Sequence, residues 1–416
     1  MNATNTLSTA TPVQTTERMH VLDILRGFAL FGILMMNIEY FQRPMQAIMM
    51  GLDQSQTGID YVVGLFVYVF IQGKFYTLFS LLFGIGFVIF LDRAKAKVDK
   101  PRWLFFRRLA ILAVIGAVHA FLIWAGDILL SYAFVGLFLM LLFHNTSVSR
   151  LWKWGLALII FPLVLFALGA LGISMAMQYD PEGTAIAFDE QHAALLNDIM
   201  RGDFIYAQGS YWEVVQWRIY EMGQLYLGAG FVFFIPSILA LFLFGAACAR
   251  AGLFQDIAGN IRYFKRFAVW GYGLGIPAAL AFAYLSVDMD ITVPTYQGAL
   301  GLALQTLANI ALCFAYLSTF VLLMHYGKRW VQIFAPAGRM ALTNYLLHSI
   351  VFTLIFYGYG LGLYGEIGRA AATGMAILLY VGQLFASQWW LQRYQYGPME
   401  WVWRSLTYGR RQPFKI

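Results

Sequence analysis

The stretch VLDILRGFALFGILMMNI, residues 21–38, decides the class of this chain. It belongs to an apolar run, 21–41, long enough to cross a hydrocarbon core about 30 Å thick. Yet it carries Asp23 and Arg26, three apart and therefore on one helical face. Charged groups are costly inside such a run, so the two read as a functional or architectural pair. The expected molecule is a membrane bundle with a polar interior.

Composition outside this stretch agrees. Of 416 residues, 60% are hydrophobic and only 12% charged, with 36 Phe, 24 Tyr and 12 Trp. This suits an all-α, polytopic helical bundle whose outer solvent is lipid, and it excludes a soluble enzyme. Cys248 and Cys313 lie in apolar runs without partner spacing, so they read as buried thiols rather than a disulfide or a metal site. No metal, no tightly bound cofactor and no nucleic-acid partner is expected. Residues 1–17, rich in Thr, Ala and Asn with the single charge Glu17, read as a disordered cytosolic tail that is not cleaved.

About ten crossings are expected within a bundle spanning 18–392. Apolar runs lie at 21–41, 104–124, 128–143, 153–177, 225–249, 267–286, 297–325, 333–357 and 368–391. The run 59–92 is different: roughly 34 residues make about 50 Å of helix, too much for one straight crossing. Basic clusters follow alternate runs: Arg93 to Arg108, Arg250 to Arg266, and Lys328 with Arg329, while the intervening connections are acidic or poor in Lys and Arg, among them those holding Asp53, Asp288 and Asp290. With both termini cytoplasmic, this alternation holds if 59–92 crosses once, as a helix broken at Gln72-Gly73-Lys74-Phe75. Its first part is then expected at the outer interface. The connection 178–224 is expected to be an extracytoplasmic insertion of two helices, the second an interfacial one carrying Glu213, Arg218 and Glu221. Residues 393–416 read as a cytosolic basic tail. The Gly-x-Gly of LLFGIGF falls inside a span and reads as close helix packing rather than nucleotide binding.

Five motifs occur in order along nearly the whole chain: RMHVLDILRGFALFGILMMNI, QGKFYTLFSLLFGIGF, VHAFLIWAGDILLSYAFVGL, GRMALTNYLLHSI and YQYGPMEWVWRSLTYG. Together they resemble the YeiB-type family of bacterial inner-membrane proteins. That family is similar to transmembrane acyltransferases such as lysosomal heparan-alpha-glucosaminide N-acetyltransferase. The shared elements are the LDxxRG start and a pattern matched by Gly338, Ala341, Tyr345 and His348. The resemblance implies an inner-membrane location, a homodimer, and transfer of an acyl group from cytosolic acetyl-CoA or another acyl-CoA to a small-molecule acceptor across the bilayer. The loop that holds the lysosomal enzyme's catalytic histidine corresponds to EYFQRPMQAIMMGLDQ, which has none. Any base must therefore come from elsewhere.

Two histidines are candidates. His119 precedes Asp127 by eight residues, about 12 Å along a continuous helix, so the two share a face without touching and would need a bridging group. His348 stands one turn above Asn344, with Tyr345 nearby, in the arrangement that orients an imidazole. Interhelical hydrogen bonds that merely hold the bundle explain either site as well. Lys74, at the break, has three readings: binding an anionic group, donating to freed carbonyls, or snorkelling. Asn37 is a candidate for the same vestibule. Arg26, Arg107, Arg108 and Arg339 are candidates for coenzyme A phosphates, since guanidinium forks match phosphate oxygens. Ordered by depth, these side chains suggest one polar file through the bundle. It suits an acyltransferase whose base is His348 or His119, with Asp127 as orienting partner. Direct transfer is favoured over a covalent intermediate, because no serine or cysteine is visibly paired with a base. The file also suits a secondary transporter or exporter of a small polar or anionic solute, and a scaffold without turnover stays open.

Overall fold

The computed structural model describes residues 19–52, 55–287 and 293–416. The readings made for the tail 1–17 and for Asp53, Asp288 and Asp290 lie outside the described residues. Helix α1 (His20–Tyr40) is the axis of the bundle and is buried nearly all round, as a helix apolar on every face should be. After a short connection come α2 (Gly58–Phe70) and α3 (Lys74–Lys95), separated at Ile71-Gln72-Gly73 where the sequence places the break. Gly73 sits at φ 85°, a conformation open to glycine and costly for other residues. The Gly-x-Gly of LLFGIGF does serve packing, with Gly84 set against the Phe242 carbonyl of a later helix.

Helix α4 (Pro101–Val118) passes into a π turn, His119–Ile123, and α5 (Leu129–Phe143) returns beside it. Helix α6 (Val148–Tyr179) lies at the rim. It exposes Trp154, Phe161, Val164 and Leu168, a surface that only lipid solvates well. The expected insertion forms α7 (Pro181–Gln208) and α8 (Tyr211–Leu227). The second starts with a capping box in which Ser210 and Glu213 satisfy each other's backbone N–H groups. Glu213 is held below the usual carboxylate range by those hydrogen bonds from Ser210. Helix α9 (Ala229–Arg250) packs on α3 and α6, and α10 (Ile261–Leu285) pairs with α11 (Tyr296–His325).

The run 333–357 is not one straight helix. It forms α12 (Phe334–Arg339) and α13 (Ala341–Phe356), bent by 75° at Met340. The bend is closed by Glu400, whose carboxylate accepts from the Leu342 and Thr343 N–H groups at 2.7 and 3.1 Å and so caps α13. Helix α14 (Arg369–Leu391) flanks α1, and α15 (Pro398–Tyr408) folds back against α4 and α13. Residues 393–416, read as a tail, are thus a folded part of the bundle that supplies this cap.

Among the described residues, eight helices are long and apolar enough to cross a membrane. The bent α12–α13 pair makes up to nine, against the expected ten or so, and α5 is a shorter apolar helix of 15 residues. Among the same residues there is no strand beyond a single bridge between Tyr394 and Lys415. Cys248 and Cys313 are free and buried, as expected of isolated thiols in apolar runs.

Candidate functional site

A cavity of ≈ 300 Å³ opens at the end of the bundle where α1 starts and α3 stops. Its mouth is basic: Arg26, Arg93, Lys97, Arg108, Arg339 and Arg404 line it together with Asp23 and Glu400. The expected Asp23–Arg26 pair forms, at 3.1 Å, with Asp23 2% exposed. Burial raises the Glu400 carboxyl, against the opposing hydrogen bonds from Thr343 and Leu342. Arg108 lies over the Trp403 ring at 3.7 Å, which fixes one wall by a cation–π contact. Arg107, read as its companion, is not among the lining residues; its guanidinium lies against Gly409. Two glycines bring Asp23 and Arg339 together: Gly27 abuts the Phe334 carbonyl and Gly338 the Asp23 carbonyl, approaches that a Cβ would block.

Beyond the mouth the wall is apolar and aromatic, through Leu30, Phe83, Leu109 and Leu112, and it ends at Ile128, Leu129 and Tyr345. The Tyr345 ring lies 5.1 Å from the His119 ring, and its hydroxyl donates to the Gly126 carbonyl at 3.2 Å. The inner end of the cavity therefore abuts a histidine centre.

That centre differs from the sequence expectation. His119 and Asp127 are in direct contact, Nδ1 to Oδ2 at 2.7 Å, with no bridging group. The expected 12 Å assumed a continuous helix. Instead α4 widens into the π turn, Trp124 takes an extended conformation, and the chain doubles back within three residues. Asp127 also accepts the Leu130 N–H at 2.7 Å through Oδ1, so one carboxylate caps α5 and holds the imidazole. On the other side, His119 Nε2 lies 2.8 Å from Ser349 Oγ on α13. A carboxylate only accepts, so Nδ1 carries the proton and Nε2 presents its lone pair to the serine hydroxyl. His119 is 0% exposed, Ser349 1% and Asp127 6%.

Helix α8 fastens the π turn from outside. Arg218, fully buried, donates to the Leu122 carbonyl at 2.9 Å and to Tyr359 Oη at 2.9 Å. Glu221, one turn on, accepts from Tyr206 Oη at 2.5 Å and from the Met45 N–H at 2.9 Å. Burial pushes its carboxyl up to about 7, chiefly by desolvation and against the opposing hydrogen bonds. Burial likewise raises Asp203, which accepts from Tyr364 Oη nearby. Of the charges read as an interfacial polar face, Arg218 and Glu221 therefore turn inward while Glu213 stays exposed at the helix start, and α8 acts as a clamp on the π turn that carries His119.

The second histidine forms a separate network. His348 Nε2 lies 2.6 Å from Gln383 Oε1 on α14. Gln383 Nε2 donates to the Asn344 carbonyl at 3.2 Å, and Asn344 Nδ2 donates to Ser387 Oγ at 3.0 Å. Gln383, and not Asn344, orients His348, and neither His348 nor Asn344 lines the cavity. Lys74 is 1% exposed and donates to the Tyr68 carbonyl at 3.3 Å, which the break leaves without its helical donor. Of its three readings, the structure gives donation to a freed carbonyl. Asn37 is buried on α1, outside the cavity lining. The single polar file therefore resolves into separate clusters. One of them, Ser349–His119–Asp127, adjoins the cavity.

Sequence reasoning missed Ser349, Arg218, Gln383 and Glu400 as functional neighbours. Ser349 follows His348 in the chain and on a helix points about 100° away from it. Only the fold reveals that its partner is the other histidine.

Residues 248–410 match the family model described as protein of unknown function (DUF418). The chain is 34% identical to uncharacterized protein YxaH of Bacillus subtilis (strain 168), covering 98% of both chains. It is 30% identical to uncharacterized protein YeiB of Escherichia coli (strain K12), covering 94% of this chain and 96% of that one. A 39.9 kDa protein from the amylase 3' region of Bacillus acidopullulyticus is 29% identical over 97% and 98% of the two chains. No solved structure matches the chain significantly. The likeness runs end to end, and the chain belongs to the YeiB-type family of helical membrane proteins.

Proposed function

We propose that the protein is a transmembrane acyltransferase of the bacterial inner membrane, taking its acyl group from a cytosolic acyl-CoA. The observation that carries this reading is one cavity with a basic mouth and an apolar throat that ends beside a paired histidine. An acyl-CoA has the matching polarity: phosphates at one end and a slender arm with a reactive thioester at the other. Arg26, Arg108 and Arg339 bind the phosphates. The arm follows the throat to Tyr345, where His119 acts as the base, held in its Nδ1–H form by Asp127. The acceptor, a small hydroxyl or amine compound, meets the acyl group from the opposite side. The test is thiol release from acetyl-CoA by purified protein in nanodiscs, and its loss in His119→Ala. Protein that neither binds acetyl-CoA nor releases its thiol overturns the reading.

A second reading rests on the two broken spans, at Gly73 and Met340, since interrupted helices line solute paths in secondary transporters. It requires uptake of a polar or anionic solute into liposomes that depends on Lys74 and survives loss of His119.

A further inference from the structure

We propose that Ser349 is a nucleophile that carries the acyl group as an ester between donor and acceptor. The proposal rests on the acyl-transfer reading and deepens it. Three observations converge on Ser349.

The first is direction. Asp127 fixes the His119 tautomer, so the hydrogen bond of 2.8 Å from Ser349 Oγ runs from hydroxyl to base. That is the arrangement that activates a serine.

The second is what Ser349 does not do. Other hydroxyls on these helices return their proton to the carbonyl four residues back: Thr77 to Gly73, Ser237 to Phe233, Thr306 to Leu302 and Thr353 to Ser349 itself. This is the ordinary fate of a helical serine or threonine. Ser349 instead spends its proton on an imidazole from a distant helix.

The third is reach. The face of α13 that lines the cavity runs through Leu342 and Tyr345, and Ser349 is the next position on it, one turn further in. Ile128, which follows Asp127, lines the same inner end. Tyr345, the cavity-lining residue one turn before Ser349, donates its hydroxyl to the Gly126 carbonyl at 3.2 Å. Acyl transfer to Ser349 requires that ring to turn aside.

The chemistry balances in two halves. Ser349 Oγ gives its proton to His119 Nε2 and attacks the thioester carbonyl carbon. The C–S bond breaks, and the leaving thiolate takes the proton from His119. The acceptor hydroxyl or amine then gives a proton to His119 and attacks the ester carbonyl. The C–O bond to Ser349 breaks, and Oγ recovers the proton. No oxidant or reductant is required.

The experiment uses the full chain in nanodiscs with acetyl-CoA, and separately with an alkyl fluorophosphonate, read by intact-protein and peptide mass spectrometry. The expected result is an acetyl or phosphonyl adduct on Ser349. Ser349→Ala abolishes it, Ser349→Cys restores an acetyl adduct labile to hydroxylamine, and His119→Ala slows adduct formation by roughly 10³-fold. Thiol release by Ser349→Ala at the wild-type rate, with no adduct in either protein, overturns the serine and leaves the acyl-transfer reading standing. A fluorophosphonate adduct on Ser349 without thiol release upholds the serine and overturns acyl-CoA as donor. Neither label nor thiol release in the wild type overturns both.

Discussion

His119 Nδ1 and Asp127 Oδ2 stand 2.7 Å apart across a helix that has stopped being a helix. The carboxylate fixes which nitrogen holds the proton, and the same group caps α5. Replacing Asp127 by Asn keeps the shape but presents an N–H to Nδ1. The imidazole then takes the opposite tautomer, and Nε2 no longer accepts from Ser349. Thiol release from acetyl-CoA should fall by about 10³ to 10⁴ in kcat at an unchanged KM. A loss under tenfold removes His119 from the chemistry.

Asp23 and Arg26 form the mouth's ion pair, one partner 2% and the other 31% exposed. Arg26→Ala removes a counter-charge of a buried carboxylate and should cost about 1–3 kcal/mol of stability. Asp23→Asn in the same protein should recover much of that loss in a thermal melt. Affinity separates from stability here. Both variants lack a phosphate-binding guanidinium, so both should show KM for acetyl-CoA raised about tenfold with kcat kept.

Glu221 links the outer clamp to pH. Its carboxyl is raised from 4.5 to about 7 in the folded protein, so the folded state binds more protons than the unfolded one between those values. The stability attached to this group is complete below its unfolded pKa and is lost as pH rises through about 7. Tyr206 and Arg218 face the carboxyl, together with the Met45 N–H. Wild-type protein should melt several degrees lower at pH 8 than at pH 5.5, and Glu221→Gln should flatten that slope. An identical slope in both proteins assigns the effect to other groups.

Much of the bundle is legible in the sequence because lipid imposes simple rules. Run length gives the spans, and the run of roughly 34 residues at 59–92, too long for one straight crossing, has a break that glycine localises at Gly73. The Asp23–Arg26 pair follows from helical spacing alone. The histidine centre is not legible, because it depends on local departures from that spacing. A π turn looks like an α-helix in sequence, so His119 and Asp127 read as 12 Å apart. The 75° bend at Met340 is equally silent, since its cap is Glu400, some sixty residues away. Ser349 was hidden for a related reason: its hydroxyl meets a histidine 230 residues distant.

Lys74 distinguishes the two functional readings. It is 1% exposed, and among the described residues it donates only to the Tyr68 carbonyl and pairs with no carboxylate. An ammonium so enclosed is held at a desolvation cost that one hydrogen bond of 3.3 Å offsets poorly. Lys74→Met keeps the volume and removes the charge, at a loss of about 1 kcal/mol for the carbonyl it leaves unpaired. The melt should therefore stay within a few degrees of wild type or rise. The cavity does not include Lys74, so acyl transfer predicts thiol release within about twofold of wild type. Transport through the broken span predicts the reverse, with uptake abolished in the same well-folded variant. Thiol release that collapses while the melt holds would place Lys74 in the reaction path and return the break at Gly73 to the centre of the mechanism.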